Sequence, residues 1–285
     1  MVSSGTIPVR EAELEYQLRG SGPAVIVLHG GPGIGYRYLE PELVVLSDLA
    51  QLLFYDQRAS GMSTGVECTS LLNIHEFVAD LEAVRAAHGA QRPIFLGHSF
   101  GGLLAMHYAI AYPDRVAALI LVDPDPASRT LWSRHSESIL ARQSQEAARE
   151  IATIREIDDW NYSPALVERY FELALAPLFA KGQSPAGFGS RFTQVIPRNL
   201  TTTASALRTS LGNWELHPAL HTIQCPCLLV VGEESIFPAE ASDRLATGLP
   251  DCTVARVKHA SHFPQLEAPR EFQQAVRSFL SRPLM

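Results

Sequence analysis

Apolar residues along this chain gather in short runs separated by amphipathic stretches. The segment "ELEYQLR" alternates with period two, whereas "PAVIVLHG", "QLLFYDQR", "RPIFLGHS", "VAALILVD" and "CPCLLVVGEE" are almost continuously apolar before they end, and "CTVARVKH" follows near the carboxyl end. Continuous runs of this length predict strands buried on both faces. Between them lie stretches such as "NIHEFVADLEAVRAAHG", with Ile74, Phe77, Val78, Leu81 and Val84 on one helical face. Strands alternating with helices predict an α/β fold with a mostly parallel central sheet flanked by helices. The alternation breaks over residues 125–212, where the text turns helical and polar around a Gly/Pro/Ser-rich patch, "KGQSPAGFGS". Residues 1–124 and 213–285 are therefore expected to form the core, and 125–212 a helical cap inserted beyond the carboxyl ends of the strands.

The segment "FLGHSFGG" carries the first chemistry. It joins a strand ending in Ile94, Phe95 and Leu96 to a helix that stops before Pro113. A strand that becomes a helix within one or two residues leaves room only for small neighbours, and Gly97 and Gly101 supply it. Ser99 is left at the apex, in the G-x-S-x-G elbow pattern of a nucleophilic serine. A histidine base should follow late in the chain. "KHASHFPQLEAP" offers His259 and His262, and His262, farther past the strand, is the expected base. His98 and His29 are expected to be structural. The loop "VLHGGPG" can turn its backbone N–H groups toward an oxyanion, with Gly31 as donor because Pro32 has none, and Phe100 after the nucleophile as the second donor.

Together, "HGGPG", "YDQRASGMS", "GHSFGG" and "ASHFPQLEAP" resemble the α/β-hydrolase superfamily, and within it the proline iminopeptidase-like branch. "NWELHPALHTIQCPCLLVVGEE" resembles that branch as well, and the likeness runs from residue 14 to residue 280. The branch usually reads DQRGxGxS, so Ala59 stands where a glycine is customary. The resemblance implies an α/β-hydrolase fold and an acid after the strand that ends at Gly232. Counting forward from Gly232 reaches Ser235, which cannot be an anion; counting back from Pro238 reaches Glu234. Glu234 is the expected acid, in a loop shorter by one residue. Asp123, which ends "LILVD" one strand after the elbow, is the alternative, and it could equally cap the turn "DPDP".

Bulk composition narrows the remaining classes. With 46% hydrophobic and 19% charged residues, 285 residues can bury a sizeable core. A net charge of −7 without a basic cluster argues against a nucleic-acid partner. No apolar run reaches the length of a membrane span, and the first twenty residues lack a signal-peptide core, so a cytoplasmic protein is expected. Cys68, Cys225, Cys227 and Cys252 are expected to be inert thiols, since the C-P-C pair has no partner at metal-ligand spacing. No metal and no cofactor are expected. The expected partner is a small-molecule substrate, and homo-oligomer formation is compatible with the sequence.

The resulting expectation is a serine hydrolase that cleaves an ester, lactone or amide through an acyl-enzyme on Ser99. The alternatives are release of an amino-terminal proline, as the resemblance implies, or a non-hydrolytic lyase or binding protein on the same fold. Epoxide or halide chemistry would need aspartate at the elbow. The cap segment "NLTTTASALRTSLGN" before Trp214 contains no carboxylate to hold a substrate ammonium, although Glu215 and Glu233 are candidate substitutes. Neutral esters or lactones are therefore expected to outrun proline arylamides. Phe171, Phe179 and Trp214 are the expected substrate-binding residues, with Leu175, Leu178, Phe188 and Phe192 as further cap apolars that could line a pocket or pack the cap.

Overall fold

The computed structural model describes residues 2–180, 184–192 and 197–282, so part of the Gly/Pro/Ser-rich patch lies outside the described residues. Among the described residues eight strands form one sheet in the order β1-β2-β4-β3-β5-β6-β7-β8. They are β1 (Val2–Val9), β2 (Ala12–Arg19), β3 (Ala24–Leu28), β4 (Gln51–Tyr55), β5 (Ile94–His98), β6 (Ala118–Val122), β7 (Cys227–Gly232) and β8 (Cys252–Val257). The β1–β2 and β2–β4 pairings are antiparallel, and every other pairing is parallel. Strand β1 was not anticipated. It is an edge strand in which Ile7 alone is buried, so it carries almost no apolar signal.

The helices are α1 (Glu40–Leu43), α2 (Ile74–Ala87), α3 (Phe100–Ala111), α4 (Arg129–Ser133), α5 (His135–Arg142), α6 (Gln145–Glu156), α7 (Pro164–Leu175), α8 (Pro197–Leu211), α9 (Ala239–Gly248), α10 (Pro264–Glu267) and α11 (Pro269–Leu280). Side chains alternate across the strands and divide the interior in two. Ile26, Leu28, Phe95, Leu119, Leu121 and Leu229 face a layer containing α2, α3 and α9. Val25, Val27, Leu96, Ile120, Val122 and Val230 face one containing α11 and the cap aromatics.

The chain leaves β3 for β4 on one side, then crosses back to β5 on the other side. The carboxyl edge between β3 and β5 is thus a topological switch point, where open α/β sheets form their crevices. Beyond β6 the chain runs out through α4–α8 and returns at the same place. Ser128 bridges Glu215, the Arg129 N–H donates to the Trp214 carbonyl, and the Leu216 N–H donates to the Ala127 carbonyl. The excursion is pinned back over the edge by Arg142, which donates to Ser261 Oγ (2.8 Å) and to the Glu234 carbonyl (2.7 Å), and by Arg191 forking onto Glu42. Among the described residues no helix is long and apolar enough to cross a membrane.

Candidate active site

The elbow is a packing solution before it is a chemical one. A Cβ on Gly97 would lie 2.4 Å from the Gly101 carbonyl, and one on Gly101 would lie 2.1 Å from the Leu28 carbonyl. Only glycine permits this approach of helix to sheet. Ser99 pays the conformational cost with φ 55° and ψ −123°, strain on the order of 1–3 kcal/mol. Its N–H is held by the Val122 carbonyl, and its own carbonyl accepts from Asp125 and Gly102 N–H groups.

Ser99 Oγ lies 3.0 Å from His262 Nε2, and His262 Nδ1 lies 2.7 Å from Asp123 Oδ2. The three side chains come from the ends of β5, β6 and the loop after β8, and all are buried. The hydroxyl donates to the imidazole, and the imidazole donates to the carboxylate. Such a chain can move the hydroxyl proton to His262 during nucleophilic attack.

The structure corrects the expected acid. Glu234 is exposed at the surface, its N–H donating to the Ala260 carbonyl and its carbonyl accepting from Arg142. Asp123 occupies the position against His262 instead. Ser235, which stands where the resemblance implies an acid, donates from Oγ to Asp123 Oδ2 at 3.0 Å and accepts from the Phe237 N–H. The loop after β7 supports the carboxylate of its neighbour β6 rather than supplying its own.

Gly31, at φ 115°, sits in the loop after β3 and lines the crevice beside Ser99. Phe100 is the first residue of α3, where backbone N–H groups have no helical partner; its ring is buried edge-on against Phe77. Gly31 and Phe100 therefore flank Ser99. A hydrogen-bond relay braces the loop: the Gly30 N–H donates to Tyr38 Oη (2.8 Å), Tyr38 Oη–H to His98 Nδ1 (2.6 Å), and His98 Nε2–H to the His262 carbonyl (2.7 Å). This polarity requires neutral His98, and burial pushes its pKa well below the ordinary histidine value. His29 is likewise held neutral, lowered to about 4 by burial, donating from Nδ1 to the Gly30 carbonyl while Nε2 accepts from the Gln57 N–H.

The second motif proves to be scaffolding. Asp56 accepts from the Tyr36 and Met62 N–H groups, Ser60 Oγ accepts from the Gly33 N–H, and the fully buried Arg58 forks onto Asp80 of α2 at 2.7 and 2.8 Å. Ala59 adopts φ 58°, the left-handed conformation that explains why glycine is customary there.

Two compartments flank Ser99, and both include Gly31, Leu178 and His262. One is apolar, lined by Ile34, Leu175, Phe192, Leu200 and Phe263. The other combines Trp132, His135, Ile139 and Phe237 with Asp125 and Arg208. Phe171, Phe179 and Trp214 line neither. Phe171 is stacked on Phe192, Phe179 on Phe263, and Trp214 donates from its indole to the Pro126 carbonyl. Asp125 lies in the turn "DPDP" and Arg208 in the cap segment before Trp214, but neither local context marks a pair formed between residues 83 positions apart. Asp125 Oδ1 lies 3.4 Å from Ser99 Oγ, and Asp125 Oδ2 accepts from Arg208 Nη2 at 2.7 Å. Cys225 and Cys227 are buried free thiols at the start of β7, remote from this site.

A family model described as alpha/beta hydrolase fold matches residues 23–269. The chain belongs to that family. The hydrolase is similar to a proline iminopeptidase of Flavobacterium johnsoniae, at 25% identity over 96% of this chain and 95% of the relative. It is also similar to a (lyso)-N-acylphosphatidylethanolamine lipase of Bos taurus, at 28% identity over 91% of this chain and 79% of the relative. The crystal structure of the Mycobacterium smegmatis proline iminopeptidase superposes on the hydrolase with a TM-score of 0.76 at 25% identity, covering 98% of this chain and 97% of that one. A peptidase and a lipase at comparable identity mean that the choice of substrate must be argued from the pocket.

Proposed function

We propose that this hydrolase is a serine esterase or lactonase that acts through an acyl-enzyme on Ser99. Ser99 Oγ attacks the scissile carbonyl while His262 Nε2 takes its proton, and Asp123 orients the imidazole and stabilises its charged form. The Gly31 and Phe100 N–H groups receive the developing oxyanion. Collapse of the tetrahedral species breaks the carbonyl–oxygen bond, and His262 returns the proton to the departing alcohol. Water, deprotonated by the same imidazole, then adds to the acyl carbon and releases the acid and Ser99.

The preference for esters over amino-terminal proline rests on one observation. Asp125, the carboxylate beside Ser99, is ion-paired with Arg208. A substrate ammonium entering the crevice needs an unmatched carboxylate, because desolvating an unpaired charge costs several kcal/mol. The other candidates do not line either compartment: Glu215 pairs with His217, and Glu233 is exposed. The rival reading, an iminopeptidase, is favoured by the relatives' named activity. The test is kcat/KM for proline p-nitroanilide against p-nitrophenyl alkanoates, corrected for the intrinsic lability of the ester. Faster ester turnover, lost in Ser99→Ala, is expected. A preference for the proline substrate that disappears when its nitrogen is acetylated would establish the rival.

A further inference from the structure

We propose that the compartment containing Arg208 holds a carboxylate of the substrate, so that the physiological ester carries an anionic group a short spacer from its scissile carbonyl. The inference rests on the hydrolase reading above and names the substrate class of the same site.

Arg208 projects from cap helix α8 into the wall that also contains Ser99 and His262. A guanidinium presents five N–H donors in a rigid plane and stays charged at any working pH. Asp125 accepts from Nη2 through one oxygen only, a single hydrogen bond in place of the two-pronged pairing that a carboxylate and a guanidinium ordinarily make. Nη1 is buried and hydrogen-bonds to nothing among the described residues. The charge is held instead by ring faces, with the guanidinium carbon 4.2 Å from the Trp132 centroid, 5.7 Å from Trp214 and 5.9 Å from Phe100. Such faces steady the cation and fix its plane, but they leave Nη1 without an acceptor. A buried donor without an acceptor is rare in folded proteins and calls for a partner.

The location determines what that partner is. Asp125 alone spans the gap from Arg208 to Ser99 Oγ. A group on the Arg208 guanidinium edge and a carbonyl at Ser99 can therefore belong to one small molecule. A planar carboxylate offers the acceptor geometry that the remaining guanidinium edge matches, joining Asp125 as a second acceptor on the same cation. The apolar compartment on the other side of Ser99, with Leu175, Leu178 and Phe192, then takes the uncharged arm of the substrate.

Two isosteric pairs test this. On the acyl side, monoethyl glutarate is compared with ethyl 5-methylhexanoate; on the alcohol side, 4-acetoxybutanoate is compared with 4-methylpentyl acetate. Acid release is followed by pH-stat, and fluorophosphonate labelling of Ser99 is measured in parallel. The expected result is that one carboxylate ester exceeds its neutral isostere tenfold or more in kcat/KM, and the pair that shows it identifies the arm. The double variant R208Q/D125N should abolish the preference. Arg208→Gln alone would strand the Asp125 charge, which itself repels a carboxylate, so the double variant is the deciding one. Equal or faster turnover of both neutral isosteres would overturn the proposal while leaving the hydrolase reading intact. A preference that survives in the double variant would overturn it as well. Absence of labelling and of turnover on all four esters would overturn both.

Discussion

Ser235 Oγ donates to Asp123 Oδ2 at 3.0 Å, on the carboxylate oxygen that also accepts from His262 Nδ1 at 2.7 Å. A hydroxyl in the loop after β7 thus holds in place the carboxylate that follows β6. If Asp123 orients His262, Asp123→Asn should lower kcat by about four powers of ten, because the amide favours the wrong imidazole tautomer. Ser235→Ala removes one supporting hydrogen bond, worth about 1 kcal/mol, and should slow turnover roughly fivefold. Glu234→Gln should leave kcat within a factor of about two, as for an exposed surface change. Steady-state kinetics on one p-nitrophenyl ester compares all three. A severe loss in Glu234→Gln with a mild one in Asp123→Asn would reverse the assignment.

Tyr38 connects the loop after β3 to the His262 carbonyl through His98. Tyr38→Phe keeps the ring packing but leaves the Gly30 N–H and His98 Nδ1 without their partner. The expected cost is about 2–4 kcal/mol of stability, one buried polar group at each end of the lost hydroxyl. Because Gly30 precedes Gly31, kcat should fall more than KM rises. Denaturant unfolding and ester kinetics on the same variant separate the two effects, and unchanged values of both would remove the relay's role.

Acid should destabilise the fold through its buried neutral histidines. His29 titrates near 4 when folded and near 6.5 when free, and His98 is displaced in the same direction. The unfolded chain therefore binds more protons at these sites below pH 6.5, for His29 down to about 4. Their stabilising contribution is complete above 6.5 and is lost as pH falls through that window. For His29 the loss approaches about 3 kcal/mol, at roughly 1.4 kcal/mol per unit. Asp56, raised to about 7 by burial, works in the opposite direction over part of the same range. The measurement is accordingly a difference, the urea midpoint of wild type against His29→Asn from pH 7 to 4.5. The gap between them should narrow as pH falls.

Phe171 and Leu178 should separate packing from binding. Phe171 is 1% exposed and stacked in the aromatic cluster of the cap, so Phe171→Ala should cost about 3–5 kcal/mol of stability. Leu178 lines both compartments, so Leu178→Ala should raise KM for apolar esters several-fold with a smaller loss of stability. A specific KM effect in Phe171→Ala, at temperatures where it remains folded, would return that residue to the substrate site.

What the amino-acid sequence determined by itself was whatever depends on residues close together in the chain. The alternation of apolar runs and amphipathic helices specified the α/β sheet, because burial on two faces demands continuous apolar strands. The elbow was legible at Ser99, because Gly97 and Gly101 are the only residues that fit its geometry. His262 was legible from its place after the last strand. Tertiary structure decided the rest. Asp123 and Glu234 both lie just beyond the ends of sheet strands, and the choice between them depends on how β6 and β7 align and which side chain meets a histidine 139 residues away from Asp123. Asp125 and Arg208, 83 residues apart, meet only because cap helix α8 closes over the switch point between β3 and β5. Local spacing encodes backbone shape, whereas the pairing of charges across a crevice is settled when separately folded elements are packed together, and each buried charge must then find its partner.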